Sequence, residues 1–315
     1  MKKQEEPVSV TPENKQHWLE LRSKNLNSTD VSALFGVNPY LTEFELWHRL
    51  KEPTVQEFAS TERMSWGNAL EAAIANEAAR VNGWTIEPFK DYWYLPESRL
   101  GSSFDFALSP INGVYSTLLE VKNVDTMAYN KNWIEHSDDD IEAPPHIELQ
   151  VQHQMLITGF STVYICALVG GNTLKVLKRE VNPSIQDMIL KKSAKFWESI
   201  DSGVPPKINY ERDSEFLIDL YNHAEPNKVL DAKSDYVLDA LVSGYNTVSA
   251  GIKELETQKD MWKAKILEHI SDNEKVLGSN YTISAGITPE CPVSFVRKSF
   301  RNFRITNKKQ QAKEQ

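Results

Sequence analysis

Cysteine is scarce in this chain of 315 residues, with Cys166 and Cys291 its two. Two thiols exclude a disulfide framework and a four-cysteine zinc or iron-sulfur site within one chain. Cys166 lies in Val163-Tyr-Ile-Cys-Ala-Leu-Val169, where an inert core position is expected. Long apolar runs are also missing, and nothing approaches the roughly 18 residues a membrane span needs. The start, Met1-Lys-Lys-Gln-Glu-Glu-Pro, lacks an apolar signal core, so a soluble intracellular protein is expected. No glycine-rich loop ending in Gly-Lys-Ser/Thr occurs, which speaks against ATP-driven unwinding.

Positive charge is in deficit overall, the formal net charge being −9. That excludes a uniformly basic surface but not a local one, because phosphate binding depends on where Lys and Arg cluster. From Cys291 onward seven basic residues (Arg297, Lys298, Arg301, Arg304, Lys308, Lys309, Lys313) face one acid, Glu314. This tail reads equally as a solvated terminus or as a DNA contact. Acids gather at Glu135, Asp138, Asp139, Asp140 and Glu142, where a mobile loop is expected rather than a second metal site.

What is present is concentrated chemistry. Asp105 ends one short apolar run, and Leu118-Leu119-Glu120-Val121-Lys122 ends another. In a strand, side chains alternate faces, so Glu120 and Lys122 point the same way while Val121 turns into the core. Two carboxylates can hold a hard divalent cation such as Mg2+, and a neighbouring lysine can orient or deprotonate a water and counter phosphate charge. Those are the parts that phosphodiester hydrolysis requires. Alone, Glu-x-Lys is also an ordinary surface ion pair of little energetic value.

The flanking motifs narrow the reading. Trp18-Leu-Glu-Leu-Arg22, Asn27-Ser-Thr-Asp-Val-Ser-Ala-Leu-Phe-Gly-Val-Asn-Pro-Tyr40 and Phe44-Glu-Leu-Trp47 are followed by Gly67-Asn-Ala-Leu-Glu71, Gly101-Ser-Ser-Phe-Asp105, Leu119-Glu-Val-Lys122 and Glu148-Leu-Gln150-Val-Gln-His-Gln-Met155. In this order the motifs resemble the YqaJ-like viral recombinase family, phage-type (lambda-exonuclease-like) members of the PD-(D/E)xK nuclease superfamily. The resemblance covers roughly residues 15 to 200.

The resemblance implies an α/β fold with a mixed central sheet flanked by helices, and a division of roles among residues. Glu71, Asp105 and Glu120 would be metal-binding carboxylates, with the Val121 carbonyl as a further ligand. Lys122 would handle the attacking water, and Gln150 would help position that water or the scissile phosphate. Arg22, Thr29 and Ser103 would hold a terminal 5′-phosphate. Phe104 precedes Asp105 where the superfamily has proline, and Thr29 replaces the usual serine while keeping the hydroxyl. The implied activity is a 5′-to-3′ exonuclease on double-stranded DNA ends in phage-type single-strand-annealing recombination. It would use Mg2+, with Mn2+ as a substitute, in the cytoplasm of a bacterial host. An annealing-protein partner and a ring-shaped homo-oligomer, often a trimer, come with the family. An endonuclease or repair nuclease on the same fold is the alternative, and a non-cleaving DNA-binding or inhibitory protein is the more distant one. The complete set of acids and lysine disfavours the latter.

Periodicity places these residues on elements. Thr11-Pro12-Glu13 is expected to open a helix, Thr42-Glu-Phe-Glu45 forms a capping box, and Trp66, Leu70, Ile74 and Ala78 recur at helical spacing until Gly83. Residues 84–86, 91–95, 100–108 and 114–122 read as successive strands, with a turn at Pro110-Ile-Asn-Gly113. A helix from Pro144-Pro145 to Gly159 carries Gln150 and Gln154 one turn apart, then two strands meet at Gly170-Gly171-Asn172 and a helix runs from Pro183 to about Ser202. His146 and His153 on the first of these helices read as surface or half-core residues rather than ligands, and Trp18, Trp47 and Trp66 as packing anchors. These elements form a nuclease domain over residues 1–225. In residues 226–315, Leu238, Leu241, Tyr245, Val248, Ile252, Leu255, Trp262 and Ile266 keep a 3-4 spacing over a helix of roughly 36 residues, a narrow stripe that wants a partner. Residues 281–303 read as β-like. Their Phe295, Phe300 and Phe303 among arginines fit base stacking, or a hairpin that buries the rings, which is slightly favoured.

Overall fold

The computed structural model describes residues 5–52, 61–109, 114–137, 140–297 and 300–306. The turn expected at 110–113, Asp138 and Asp139 of the acidic run, and Lys298, Lys308, Lys309 and Lys313 of the basic tail lie outside the described residues. The chain divides into two units, Met1–Leu217 and Ile218–Gln315.

The first unit runs β1 (Val8–Val10), α1 (Lys15–Ser23), β2 (Leu26–Asn27), a 3-10 turn (Val31–Phe35), α2 (Glu43–Lys51), α3 (Glu62–Asn82), β3 (Ile86–Pro88), β4 (Tyr92–Leu95), β5 (Leu100–Ser102), β6 (Phe106–Leu108) and β7 (Thr117–Val124). It continues with α4 (Thr126–Asn132), β8 (Ile134–Ser137), β9 (Asp140–Glu142), α5 (Pro145–Thr158), β10 (Thr162–Val169), β11 (Thr173–Glu180) and α6 (Pro183–Ser202), after which comes α7 (Tyr210–Leu220). A five-stranded sheet has the order β11-β10-β7-β6-β3. Its β7 and β10 are parallel and its other pairings antiparallel. This is the mixed, helix-flanked α/β sheet that the motifs imply.

Burial on both faces explains why β10 is apolar almost throughout. Leu118, Val163, Ile165 and Ala167 pack with Ile147, Val151 and Met155 of α5. On the other face Leu119 and Cys166 meet Ile74, Ala75 and Ala78 of α3. Each large side chain so buried contributes about 1.5–3 kcal/mol of transfer free energy. Cys166 is accordingly a core residue, burial and then the charges of Asp105 and Glu120 pushing its thiol up to about 12. The glycines that end α3, α5 and α6 take up left-handed backbone, with φ of 67, 70 and 75° at Gly83, Gly159 and Gly203.

Several expectations need correction. Residues 100–108 form two strands instead of one: β5 belongs to a second, four-stranded sheet of order β1-β4-β5-β2, and β6 to the five-stranded sheet. The chain changes sheet at Ser103-Phe104-Asp105, where Phe104 inserts its ring into the core shared with α5. The first helix is capped by Asn14, whose Oδ1 accepts from the His17 amide at 2.9 Å, because the Thr11 hydroxyl donates to Asp91 instead. Glu135, Asp140 and Glu142 of the acidic run lie on short antiparallel strands, β8 paired with β9. Trp47 is buried, but Trp66 is 57% exposed and anchors no core.

The second unit is built around α8 (Tyr236–Ile270), capped by Asp235 through a 2.9 Å bond from the Leu238 amide. Its stripe residues Leu241, Tyr245, Val248, Ile252 and Leu255 are exposed. A hairpin follows, but earlier than expected, pairing β12 (Lys275–Leu277) with β13 (Thr282–Ser284). The three phenylalanines lie beyond it in chain without regular structure, and they are exposed. No described helix is long and apolar enough to cross a membrane.

Candidate functional site

The register of β6 against β7 pairs Phe106 with Leu119 and Ala107 with Leu118, so Asp105 stands opposite Glu120 at the next position. The Val121 amide donates to Asp105 Oδ2 at 2.8 Å, which pins the carboxylate against β7. Glu120 is 3% exposed and is held from several sides. Gln150 Nε2 donates to its Oε1 at 2.6 Å and Gln154 Nε2 to its Oε2 at 2.7 Å. Lys122 Nζ donates to Glu120 Oε1 and, at 3.2 Å, to Gln150 Oε1. The two glutamines one turn apart on α5 thus clamp both oxygens of one carboxylate. Gln154 was legible as a spacing but not as a partner of Glu120.

Glu71 comes from α3, which covers the Leu119 face of the sheet, whereas Glu120 faces α5. It is half-buried. Its carboxyl sits above the ordinary range, first because of burial and then because of repulsion by Glu120, against a smaller opposing pull from Lys122. Asp105 is raised well above the ordinary range by burial and by Glu120, with Lys122 and the Val121 amide working the other way. Burial pushes the Lys122 ammonium down, but Glu120, Asp105 and Glu71 outweigh it, so it stays above its usual value and charged. Among the described residues no three His, Cys, Asp or Glu side chains form a closed ligand cluster. Glu71 is within electrostatic reach of the other two acids without joining them.

The donor set nevertheless suits a hard cation. Three carboxyl groups and one ammonium interact here, and with all three acids ionised the group would carry an excess of two negative charges, the charge of one divalent ion. The raised carboxyl groups express that imbalance. All donors are oxygens, as Mg2+ and Mn2+ prefer.

A second group forms beside the first. The parallel register of β2 on β5 pairs Leu26 with Leu100 and Asn27 with Gly101. Just beyond it the Ser28 and Ser102 hydroxyls are 2.8 Å apart. Arg22 Nη2 donates to Thr29 Oγ1 at 3.3 Å. Trp18 joins the set: its Nε1 donates to Ser103 Oγ at 2.8 Å and its ring lies under the Arg22 guanidinium, 4.8 Å from centroid to Cζ. Expected as a packing anchor, Trp18 instead holds Arg22 and Ser103 together. Thr29 is exposed while Arg22 and Ser103 are half-buried, so the group faces solvent. Ser103 is two residues from Asp105, at most about 7 Å along the backbone.

His153 is a core residue with neither ring nitrogen hydrogen-bonded among the described residues, burial holding it down to about 3. His146 is half-buried, and burial and then Lys122 hold it below its usual range.

The family model of the YqaJ-like viral recombinase domain matches residues 17–161. Over this stretch the chain is similar to the YqaJ-like viral recombinase domain. The stretch contains every residue of the two groups, from Trp18 to Gln154. An uncharacterised protein of Bacillus subtilis (strain 168), YqaJ, is 27% identical over 277 residues, 85% of this chain and 82% of its own length. That match is longer than the first unit and so reaches into the second. Among solved structures, the alkaline exonuclease LHK-Exo of Laribacter hongkongensis is 12% identical with a TM-score of 0.48, covering 65% of this chain and 100% of its own. The complex of LHK-Exo with dAMP has the same TM-score at 14% identity, again over 65% of this chain and 100% of its own.

Proposed function

We propose that the YqaJ-like domain is a metal-dependent deoxyribonuclease that degrades duplex DNA from its 5′ ends. The observation that carries this reading is the Glu120–Lys122–Gln150 cluster with Asp105 against it, set beside an arginine-hydroxyl group whose Ser103 is two residues from Asp105 along the chain. Asp105, Glu120, Glu71 and the Val121 carbonyl would hold Mg2+, or Mn2+ in its place. When bound, the ion supplies Lewis-acid activation of water and offsets charge at phosphorus. Lys122, kept charged by its acids, donates to the attacking water or a phosphate oxygen. Gln150 fixes both Glu120 and Lys122, and Gln154 locks the second Glu120 oxygen, so the pocket is ordered before DNA arrives.

Arg22, Thr29 and Ser103 would bind the terminal 5′-phosphate through charge-assisted hydrogen bonds. The nearness of Ser103 to Asp105 favours cleavage roughly one nucleotide from an end, which is exonuclease geometry. We further expect a ring-shaped homo-oligomer on DNA and an annealing-protein partner in phage-type recombination, on family resemblance.

Digestion of end-labelled linear duplex and of closed circles, with Mg2+ and with chelator, tests the reading. Mg2+-dependent loss of linear DNA with circles intact is expected. Equal loss of both would replace it with an endonuclease, and no digestion of either would remove the nuclease assignment.

A further inference from the structure

Residues 291–306 contain no acid, although the chain as a whole carries −9. Their described part lies beyond β13 without helix or strand. Phe295, Phe300 and Phe303 are 81, 57 and 68% exposed. Three phenylalanines so exposed within nine residues are a surface with a use, since soluble proteins seldom leave such rings uncovered. Each is followed within two residues by an arginine: Arg297, Arg301 and Arg304.

The stretch is tied down without being buried. Arg301 Nη1 donates to the Tyr221 carbonyl at 2.8 Å, and Phe303 meets Tyr245 edge to face at 5.5 Å. The Arg297 guanidinium lies 4.6 Å from the centroid of the Phe300 ring. Flat apolar rings alternating with fixed cations match a partner that alternates flat apolar rings with anions, which is the chemistry of an unpaired nucleic-acid strand. A protein groove that accepts phenylalanines has no need of a cation beside every one. A duplex, whose bases are already stacked, offers the rings nothing.

We propose that the stretch around Phe295, Phe300 and Phe303 is a single-stranded DNA binding site, its rings stacking on bases and Arg297, Arg301 and Arg304 meeting phosphates. Identifying the bound strand with the one left by 5′-end digestion rests on the nuclease reading. The binding itself does not.

The test uses the full chain carrying Asp105→Asn, metal-free, with anisotropy of a labelled oligothymidylate of about 12 nucleotides. Each of Phe295→Ala, Phe300→Ala and Phe303→Ala should weaken binding by roughly 5- to 100-fold, the ~1–3 kcal/mol of base-aromatic stacking, and Phe→Trp should restore it. Replacing the three arginines with glutamine should reduce the slope of log affinity against log salt by about 2. Unchanged thermal midpoints verify folding, and if an alanine variant unfolds, the tryptophan variants and the salt slope decide alone. Oligothymidylate binding indifferent to the phenylalanines would overturn the proposal and assign the rings to a protein partner. Equal loss of blunt-duplex binding would overturn it too, reducing the stretch to a basic tail. Digestion of linear duplex by the same variants with Asp105 intact is read separately, so the nuclease reading can fail while this one stands, and the reverse.

Discussion

Lys122→Met separates the roles of the pocket most cleanly, since methionine keeps much of the stem and removes the ammonium. Glu120 would lose one charged hydrogen bond but keep those from Gln150 and Gln154, so its position should survive. Loss of a hydrogen bond between charged groups costs about 1.5–3 kcal/mol. For a unit of this size that is a fall of roughly 3–12 °C in the midpoint of the metal-free protein. With the ammonium gone the pocket holds a larger negative excess, so Ca2+ or Mn2+ should bind at least as tightly as in the wild type. Saturating metal at about 100 times Kd returns ~2.7 kcal/mol and should recover much of the lost midpoint. Cleavage in Mg2+ should nevertheless fall by roughly 10²–10⁴, about 3–5 kcal/mol of barrier. Thermal unfolding with chelator and with Ca2+, metal calorimetry and single-turnover digestion measure the three quantities. Metal affinity lost together with cleavage, or cleavage within about tenfold of wild type, would refute the assignment of Lys122 to the chemistry.

Asp105→Asn and Glu120→Gln should each abolish Mg2+-dependent digestion while filter binding of DNA in Ca2+ persists; residual cleavage above a few per cent would reject them as ligands. Arg22→Ala should erase any rate preference for 5′-phosphorylated over 5′-hydroxyl ends, and an unchanged ratio would remove it from the end-binding group. Gly101→Ala places a Cβ 1.9 Å from the Tyr92 hydroxyl oxygen, which donates to Asn27 Oδ1, and should lower stability by about 1–3 kcal/mol in urea titrations, where an unaltered midpoint would contradict the packing. His153 is neutral in the fold down to about 3 while the unfolded chain protonates near 6.5, so its contribution is intact above 6.5 and is lost as pH falls below it. The loss is ~1.4 kcal/mol per pH unit, and His153→Leu should make stability less steep by one proton between pH values of about 6 and 4.

Much of this was legible because local chemistry and final structure agree. The alternation in Leu118-Leu119-Glu120-Val121-Lys122 places Glu120 and Lys122 on one face, and they touch. Gly170 and Gly171, at φ of 60 and 79°, turn β10 into β11 where the sequence has the glycine pair. Thr42 caps α2, its hydroxyl accepting from the Glu45 amide at 3.1 Å. What escaped is set by distant partners. The run from Leu100 to Leu108 reads as one strand, and nothing in it announces that β5 pairs with β4 while β6 pairs with β7. Thr11 looks like a cap until Asp91, far along the chain, takes its hydroxyl. The Trp18 ring could be an anchor anywhere, and Ser103 at its Nε1 gives it a place in the site. The phenylalanines beyond β13 illustrate the reverse error, apolar residues at strand-like spacing that find no sheet to enter.

The central claim is that Asp105, Glu120 and Glu71, with one ammonium beside them, make a site for a single divalent ion. Anomalous diffraction from crystals equilibrated with Mn2+ addresses it directly. The account predicts a peak about 2.0–2.3 Å from oxygens of Asp105 and Glu120, with Glu71 drawn toward it and the peak lost in Asp105→Asn. A peak elsewhere, or none at saturating Mn2+ with both carboxylates ordered, would contradict it.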